Sequence, residues 1–357
     1  MSGMWGNKLK LSIFGESHGP CVGITIDGIK SGIKIDILFI KNEMKRRAPG
    51  QNKLTTSRSE DDEFEILSGI FNEYTTGSPI CAIIRNNNTI SKDYSELKNK
   101  MRPGHSDFGA FVKYDGFNDY RGSGHFSARV TAGLNFVGAF CKQILMGKNI
   151  IIGAHIKSVG EIEDDGFDLT LVDKELLMAL VLKNFPVIND SKGLKMQEEI
   201  LNAKEDSNSI GGVIECAILN VPAGIGEPFF DSVESSIAHL AFSIPAVKGI
   251  EFGKGFDISK MRGNLSNDEM YIEGGKIKTK TNNNGGIIGG ITNGMPIIYR
   301  VAFKPTSSIP RLQNTVDVST MENTTLMVKG RHDPCVAVRA VPIVESIGAL
   351  AILDFIL

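Results

Sequence analysis

The stretch TTGSPICAII, residues 75–84, returns in altered form as TNGMPIIYRV, residues 292–301. Thr, Gly, Pro and Ile occupy the same relative places in both copies, and a strand-like piece precedes each, EFEILSGIF or KGIEFG. Further upstream, GITIDGIKSGIKIDILFI and CAILNVPAGIGEPFFDSV both show a strand, a glycine turn and the start of a helix. Two explanations stay open here: chance similarity between hairpin turns, or a duplicated α+β unit within one pseudo-symmetric domain.

The rest of the chain predicts short strands and a few amphipathic helices. KLKLSIFG and CVGITIDGI are typical of strands, and IDILFIKNEMKRRAPG predicts a helix with Asp36 near its start. A further helix is predicted after Ser123, because apolar or small residues recur at steps of four and three. These positions are Phe126, Val130, Gly133, Val137, Phe140 and Ile144. A last helix is predicted from Val341 to Phe355. No linker or low-complexity tract divides the chain, so we expect residues 1–357 to form a single domain.

Composition restricts the partners and the compartment. Lys and Arg number 39 against 41 Asp and Glu, a formal charge of −2, which argues against nucleic acid or an anionic membrane as partner. The five cysteines form no C-x-x-C pair and no disulfide framework, which indicates a reducing compartment. The N-terminus lacks the order of a signal peptide, and no apolar run approaches the ~18 residues that span a bilayer. We therefore expect a cytoplasmic protein.

Six polar stretches with glycines concentrate the chemistry-bearing side chains. The stretches are GESHGP (15–20), RRAPGQNKLTTSR (46–58), RPGHSD (102–107), RGSGHFSAR (121–129), KPTSSIPR (304–311) and GRHDPC (330–335). They contain four of the six histidines, which can titrate near neutral pH: His18, His105, His125 and His332. RGSGHFSAR is not a dinucleotide fingerprint, since Ser127 stands where the third glycine belongs.

Arginines lie in or beside the same stretches. They are Arg46, Arg47, Arg58, Arg102, Arg121, Arg129, Arg331 and Arg339. Each taken alone is more typical of an exposed structural arginine. Together they predict a ligand with several anionic groups, because guanidinium binds carboxylate and phosphate at two points. The residues by themselves thus predict an enzyme that binds a polyanion and uses histidine as an acid.

The ordered set of motifs resembles the chorismate synthase family from Gly15 to about Glu345. The matching motifs are FGESHGP, RRAPG, TTGSPI, RPGHSD, DYRGSG, SAR, GEPFFD, AVKGIEFG, GGIIGG, FKPTSS and GRHDPC. The resemblance implies an α+β sandwich with helices between two antiparallel sheets, assembled as a homotetramer. It also implies a 1,4-anti elimination of phosphate from 5-enolpyruvylshikimate 3-phosphate, which gives chorismate in the shikimate pathway of aromatic amino acid biosynthesis. The family needs reduced FMN, although the overall reaction is redox-neutral.

The resemblance also implies roles for individual residues. His18 would donate a proton to the departing phosphate, and His105, when protonated, would stabilise the anionic reduced flavin. Asp333 and Ser17 would relay a proton together with Ser127. The expected substrate contacts are Arg46, Arg47, Arg129 and Arg339. The expected FMN contacts are His125, Ser127, Ala246, Gly289, Lys304, Thr306, Ser307, Ser308 and Arg331. Arg47 and Lys53 are the expected NADP contacts.

The chain departs from the family pattern at a few cofactor positions. His125 and Phe126 replace a more common Arg-Ser, Lys53 replaces a common arginine, and Pro245 replaces a common asparagine. No added flavin-reductase domain is recognised, which favours an external flavin reductant or reductase; reduction by the chain itself with NADPH stays open.

Two other functions are compatible with parts of the sequence. GRHD is superficially similar to a phosphohistidine motif, which would fit a histidine-dependent phosphatase or phosphomutase acting on a small polyanion. Arg- and Gly-containing loops could also bind a nucleotide or RNA, but the balanced charge and the lack of paired aromatic stacking motifs argue against it. Flavin dependence separates both alternatives from the chorismate synthase hypothesis.

Overall fold

The computed structural model describes residues 3–50, 53–56, 60–87, 91–330 and 332–357, without the side chains of residues 91–93. Arg331, an expected FMN contact, and Arg58, one of the clustered arginines, lie outside the described residues. Among the described residues, no helix combines the length and the apolar character needed to cross a membrane.

Two five-stranded antiparallel sheets form the outer layers. The first has the order β1-β2-β3-β7-β4, and the second has the order β11-β16-β10-β8-β9. The strands of the first sheet are β1 (Met4–Trp5), β2 (Lys10–Gly15), β3 (Cys21–Asp27), β4 (Phe64–Ser68) and β7 (Ile80–Arg85). The strands of the second sheet are β8 (Ile151–Val159), β9 (Ile162–Glu163), β10 (Gly212–Leu219), β11 (Val247–Phe252) and β16 (Ile297–Phe303).

The remaining strands pair as four small hairpins. They are β5 (Ile70–Phe71) with β6 (Tyr74–Thr75), β12 (Met270–Glu273) with β13 (Lys276–Thr279), β14 (Ile287–Ile288) with β15 (Ile291–Thr292), and β17 (Leu312–Asp317) with β18 (Glu322–Met327). The helices are α1 (Ile37–Arg47), α2 (Asp107–Lys113), α3 (Thr131–Met146), α4 (Lys174–Leu182), α5 (Asp190–Glu205), α6 (Val233–Ser243), α7 (Gly263–Ser266) and α8 (Ala337–Ile356).

The same topology occurs twice along the chain. In the first half, β2 and β3 precede α1, β4 and β7 follow it, and the order in the sheet is β2-β3-β7-β4. In the second half, β8 and β10 precede α6, β11 and β16 follow it, and the order is β8-β10-β16-β11. The two similar stretches of sequence form the equivalent strands β7 and β16. The structure therefore shows the duplicated α+β unit at the level of topology.

The helical layer lies between the two sheets. Helix α3 packs against β3 on one side and against α8 on the other, and α8 packs on β8 and β10. Nearly all side chains of α3 and α8 are buried, as expected for helices that are apolar on every side. Gly138 allows this close packing, because a Cβ there would lie 2.0 Å from Oγ of Ser346. The expected sandwich with helices between antiparallel sheets is confirmed.

The predicted helix boundaries hold in part. Asp36 is the N-cap of α1 and accepts hydrogen bonds from the backbone N–H groups of Leu38 and Phe39. The helix predicted after Ser123 begins only at Thr131, because residues 121–130 form short 3₁₀ turns with left-handed backbone. The last helix starts at Ala337, four residues before the predicted start, so that Pro342 lies inside it.

A buried cluster of four charges joins three helices at the centre. Glu345 of α8 lies 2.6 Å from Arg46 of α1 and 2.5 Å from Lys142 of α3. Glu43 completes the cluster, at 2.9 Å from Arg46 and 2.8 Å from Lys142. Burial opposes ionisation of Glu345, but the two cations hold its pKa below the usual range of a carboxyl group. Two positive and two negative charges thus compensate one another inside the core.

Removing one charge from the buried cluster should destabilise the fold, because the remaining charges are then buried without full compensation. Glu345→Gln leaves Arg46 and Lys142 facing a single carboxylate, and we expect a loss of about 3–5 kcal/mol in the free energy of unfolding. Urea denaturation measures it. Glu65→Gln is the control, because Glu65 pairs with Arg85 at the exposed surface and its loss should leave the midpoint unchanged. Equal midpoints for both variants would contradict a central role for the cluster.

Candidate functional site

One large cavity collects the polar stretches of the sequence. Its volume is about 810 Å³, within the range of small-molecule sites. Loops from both halves of the chain line it: the turn after β2, the segment 121–130, the end of α6, the stretch after β16 and the residues before α8. The expected site residues that line it are Ser17, Arg47, His105, His125, Ser127, Arg129, Ala246, Lys304, Thr306, Ser307, Ser308, Asp333 and Arg339.

A left-handed segment contacts both candidate acid groups. Gly122, Ser123 and Gly124 have φ values of 56°, 73° and 54°. The backbone N–H of Ser17 donates to the carbonyl of Gly124 at 3.0 Å, which ties this segment to the turn that carries His18. In the same segment, Ser123 contacts the ring of His105. His18 and His105 therefore both lie next to this short stretch of backbone.

His18 does not line the cavity itself. It packs behind Gly122, since a Cβ at Gly122 would lie 2.3 Å from Cδ2 of His18 and 2.9 Å from Oγ of Ser17. Its ring also meets Tyr94 edge-on, with ring centroids 4.9 Å apart. Gly122 and Tyr94 both line the cavity, so His18 lies directly beside it.

His105 is enclosed by charged and polar partners. Its Nδ1 lies 2.6 Å from Oδ1 of Asp107, and its Nε2 lies 3.1 Å from Oγ of Ser123. Burial lowers its pKa; the hydrogen bond to Asp107 opposes this, and the cations Arg102 and Lys304 add to the lowering. Burial disfavours the charged form of Asp107, but Arg102 and His105 hold the pKa of that carboxyl far below its usual range. Without ligand, His105 is mainly neutral at neutral pH and Asp107 is ionised.

Three arginines in the cavity are held by carboxylates. Buried Asp62 pairs with both Arg47 and Arg129, and Glu60 lies 3.2 Å from Arg129. Arg339 donates to Asp333 at 2.7 Å. Burial, together with the neighbouring Arg339 and Arg129, lowers the pKa of Arg47 to about 10 although Asp62 raises it. The guanidinium groups are thus fixed in place before any ligand binds.

Asp62 is a residue of the candidate site that the motif analysis missed. It lies in the acidic run EDDE, residues 60–63, directly after the basic, hydroxyl-rich stretch 46–58. Nothing in the linear pattern indicates that its carboxylate folds back between Arg47 and Arg129. Its φ of 51° is rare for a residue other than glycine. The change of charge sign next to an arginine cluster was the available signal.

Asp333 is engaged on both carboxylate oxygens. Oδ1 accepts from the backbone N–H of Thr56 at 2.8 Å, and Oδ2 accepts from Arg339 at 2.7 Å. The hydroxyl of Thr306 donates to the carbonyl of Asp333 at 2.8 Å, which joins two of the predicted motifs. These contacts place Asp333 in the cavity as an oriented carboxylate.

Several of the residues expected to contact FMN line another part of the cavity. Lys304 donates to the carbonyl of Gly104, and Ser308 accepts from Arg102 at 3.0 Å. The backbone N–H of Lys304 donates to the carbonyl of Ala246 at 2.9 Å, so both positions are set together. His125 is exposed, and its Nδ1 lies 2.9 Å from the carbonyl of Gly15.

His332 is a further histidine that lines the cavity. Its Nε2 lies 3.4 Å from the carbonyl of Lys329. Burial lowers its pKa to about 4, and nearby Arg102 adds to the lowering. His332 is therefore neutral at neutral pH.

Three expected contact residues lie elsewhere. Arg46, expected to hold a substrate anion, instead pairs with Glu345 and Glu43 in the core cluster. Gly289 lies in the turn between β14 and β15, and Lys53 accepts at its carbonyl from Lys204. None of the three lines the cavity. These positions do not support the expected contacts of Arg46 with substrate, Gly289 with FMN or Lys53 with NADP.

A cavity lined by arginines, hydroxyl groups and histidines defines an enzyme site for ligands with several anionic groups. A family model described as chorismate synthase matches residues 9–357. The chain is 44% identical to a chorismate synthase from Dehalococcoides mccartyi over 357 residues, covering 100% of this chain and 97% of the relative. It is 45% identical to one from Korarchaeum cryptofilum over 354 residues, covering 99% and 97%.

A solved structure agrees with these relatives. It is described as a crystal structure of chorismate synthase, with a TM-score of 0.75 and 29% identity over 98% of this chain and 92% of that chain. The chain belongs to the chorismate synthase family, lyases of the shikimate pathway. The phosphatase alternative receives no support from these comparisons.

A methyl group at Gly122 should disturb both the backbone and the packing of His18. In Gly122→Ala the left-handed backbone costs about 1–2 kcal/mol, and the clash with His18 and Ser17 adds about 1–3 kcal/mol. Thermal unfolding, with NMR of the His18 ring, measures both effects. Gly32→Ala is the matched control, because Gly32 has a φ of 82° with no atom within 4 Å of the added Cβ. The packing argument fails if both variants lose the same stability and the His18 signal stays in place.

Proposed function

We propose that this chain converts 5-enolpyruvylshikimate 3-phosphate into chorismate and phosphate by 1,4-anti elimination, with reduced FMN bound in the same cavity. One observation carries the proposal: stretches separated by up to about 300 residues converge on one cavity that has both cationic and apolar lining. Membership of the chorismate synthase family supports the reaction.

The residues of the cavity fit a flavin phosphate and a flavin ring. Lys304 and the hydroxyl-bearing residues Thr306, Ser307 and Ser308 supply the donors that a phosphate needs. Apolar side chains for a planar ring come from Trp5, Leu11, Ile13, Leu240, Phe242 and Ile244. When bound, reduced FMN supplies the transient electron donation that makes loss of the allylic phosphate feasible.

The arginines of the cavity bind the substrate. Arg47, Arg129 and Arg339 supply fixed cationic donors for its two carboxylates and its phosphate. Because Asp62 and Asp333 already hold these groups, little side-chain entropy is lost on binding. We assign Arg46 no substrate contact, because it pairs with Glu345 and Glu43 and does not line this cavity.

Histidine and hydroxyl side chains donate and relay protons in the reaction. His18, beside Gly122, protonates the departing phosphate. Negative charge placed beside His105 raises the pKa of the ring, so that His105 becomes an imidazolium when reduced flavin binds. Asp333, Ser17 and Ser127 relay the proton released from the substrate ring. A homotetramer, an external flavin reductant, a cytoplasmic location and NADP contacts by Arg47 stay predictions.

Turnover should depend on the redox state of the flavin. Under anaerobic conditions we expect chorismate and phosphate to form with chemically reduced FMN and neither to form with oxidised FMN, because only the reduced ring donates electrons. Chorismate absorbance and released phosphate are measured in parallel. Equal phosphate release in both samples would instead support the phosphatase.

Arg129 should contribute to substrate binding through its planar fork. Arg129→Lys keeps the charge but cannot reproduce the contacts to Asp62, Asn86 and the carbonyl of Arg85. We expect the KM for substrate to rise by roughly 10–100-fold, the loss of one hydrogen bond between charged groups. Arg121→Lys is the control, because Arg121 pairs with Asp119 at a more exposed position. An unchanged KM in a normally folded Arg129→Lys protein would contradict this role.

A further inference from the structure

Two side chains without an assigned role hold the ring of His105 from opposite sides. We propose that Asp107 and Ser123 are positioning residues that fix His105 as its Nδ1–H tautomer and direct Nε2 at the Ser123 hydroxyl. Their importance for turnover rests on the proposed function of His105, whereas the arrangement itself is a property of the ligand-free chain.

Asp107 determines which ring nitrogen carries the proton. An ionised carboxylate only accepts hydrogen bonds, so Nδ1, at 2.6 Å from Oδ1, must donate to it. Arg102 holds that carboxylate at two points, with Nε at 2.7 Å from Oδ2 and Nη2 at 2.7 Å from Oδ1. The backbone N–H of Arg102 adds a third bond at 3.0 Å. The acceptor beside Nδ1 is therefore rigid.

Arg102 also sets the direction of the Ser123 hydroxyl. Its Nη2 lies 3.0 Å from Oγ of Ser123, and because a guanidinium has donors only, Oγ accepts this bond. The hydroxyl proton of Ser123 is then left for Nε2 of His105 at 3.1 Å. Nη2 of Arg102 and Oγ of Ser106 also lie 3.2 Å and 3.4 Å from Nδ1. The two N–H groups of Nη2 are already directed at Asp107 and Ser123, so a neutral Nδ1–H ring is compatible with these neighbours. An imidazolium would instead point a second N–H at an oxygen that already accepts from a guanidinium.

The backbone at Ser123 adopts a conformation that favours glycine. Ser123 has a φ of 73° between two glycines that are also left-handed, a conformation that is unfavourable for a residue with a Cβ. Glycine would adopt it without strain. The backbone therefore tolerates the replacement of Ser123 by glycine, which removes the hydroxyl together with its Cβ.

Asp107 and Ser123 should have opposite effects on the pKa of His105. Arg102 and Lys304 disfavour an imidazolium, and His332 is itself neutral at neutral pH. The carboxylate of Asp107 favours the charged ring. Loss of its carboxylate should lower the pKa of His105. Loss of the Ser123 hydroxyl should raise it, because that bond serves the neutral ring.

The test is an NMR titration of the full-length, ligand-free chain with ¹³C,¹⁵N-labelled histidine. His105→Gln identifies the His105 signal, and ring ¹⁵N shifts report the tautomer. Ser123→Gly removes the hydroxyl and relieves the backbone, so it should fold. Ser207→Gly is the matched control, a serine at φ 53° that does not line the cavity.

We expect Nδ1–H in the unsubstituted chain and a rise in the pKa of His105 of roughly 0.5–1 unit in Ser123→Gly. Asp107→Asn should lower it by about 1–2 units, and Ser207→Gly should leave it in place. An Nε2–H tautomer, a shift in Ser123→Gly no larger than in the control, or shifts of the same sign in Ser123→Gly and Asp107→Asn would overturn the proposal.

Turnover with reduced FMN separates this inference from the proposed function. If the opposite shifts occur and no variant or parent chain forms chorismate, the positioning stands and the proposed function fails. If the parent chain forms chorismate, the apparent pKa in the pH profile of kcat should be higher in Ser123→Gly and lower in Asp107→Asn. An unmoved profile alongside normal turnover would show that Asp107 and Ser123 do not act through His105.

Discussion

The ion pairs of Glu345 with Arg46 and Lys142 hold the central helical layer together. Because this layer is buried between two sheets, charged groups inside it must be paired with one another. The ion pairs tie α8 to α1 and α3 between the two sheets. The neighbouring residue Arg47 ends α1 and lines the cavity, and Arg339 of α8 donates to the carbonyl of Arg47 at 3.0 Å. The packing of the core thus sets where the arginines of the site lie.

Charge compensation then continues from the core into the cavity. Arginines gathered for a polyanion would repel one another in an unliganded protein, and burial would make that repulsion stronger. Asp62 and Asp333 offset it by accepting from Arg47, Arg129 and Arg339. The same device recurs at His105, where Arg102 and Asp107 form a fixed pair around the ring. The compensation is partial, because Lys248 and Lys304 also line the cavity and its cations still outnumber the carboxylates around them.

The sequence predicted the layers better than the individual contacts. Local patterns and burial determine these elements. The repeated Thr-Gly-Pro-Ile stretches form the equivalent strands β7 and β16, and the hydrophobic period after Ser123 correctly predicted the helix α3. The start of α3 was wrong by several residues, because left-handed backbone at residues 122–124 interrupts a periodic pattern without changing it.

The site shows the same division. Motif resemblance collected many of the residues that line the cavity, although the motifs TTGSPI, GEPFFD and GGIIGG supply none of them. It did not separate Arg46 from Arg47, which are adjacent in sequence but face the core cluster and the cavity respectively. It also missed Asp62, Asp107 and Ser123, whose roles depend on contacts between loops that are distant in sequence or on hydroxyl direction.

The most direct test of this account is a diffraction structure of the chain with FMN and 5-enolpyruvylshikimate 3-phosphate bound together. The account predicts both ligands in the one cavity, the flavin beside His105 and Lys304, and the substrate phosphate within hydrogen-bond reach of His18. A flavin bound outside the cavity, or a substrate phosphate remote from His18 with the carboxylates away from Arg129 and Arg339, would contradict it.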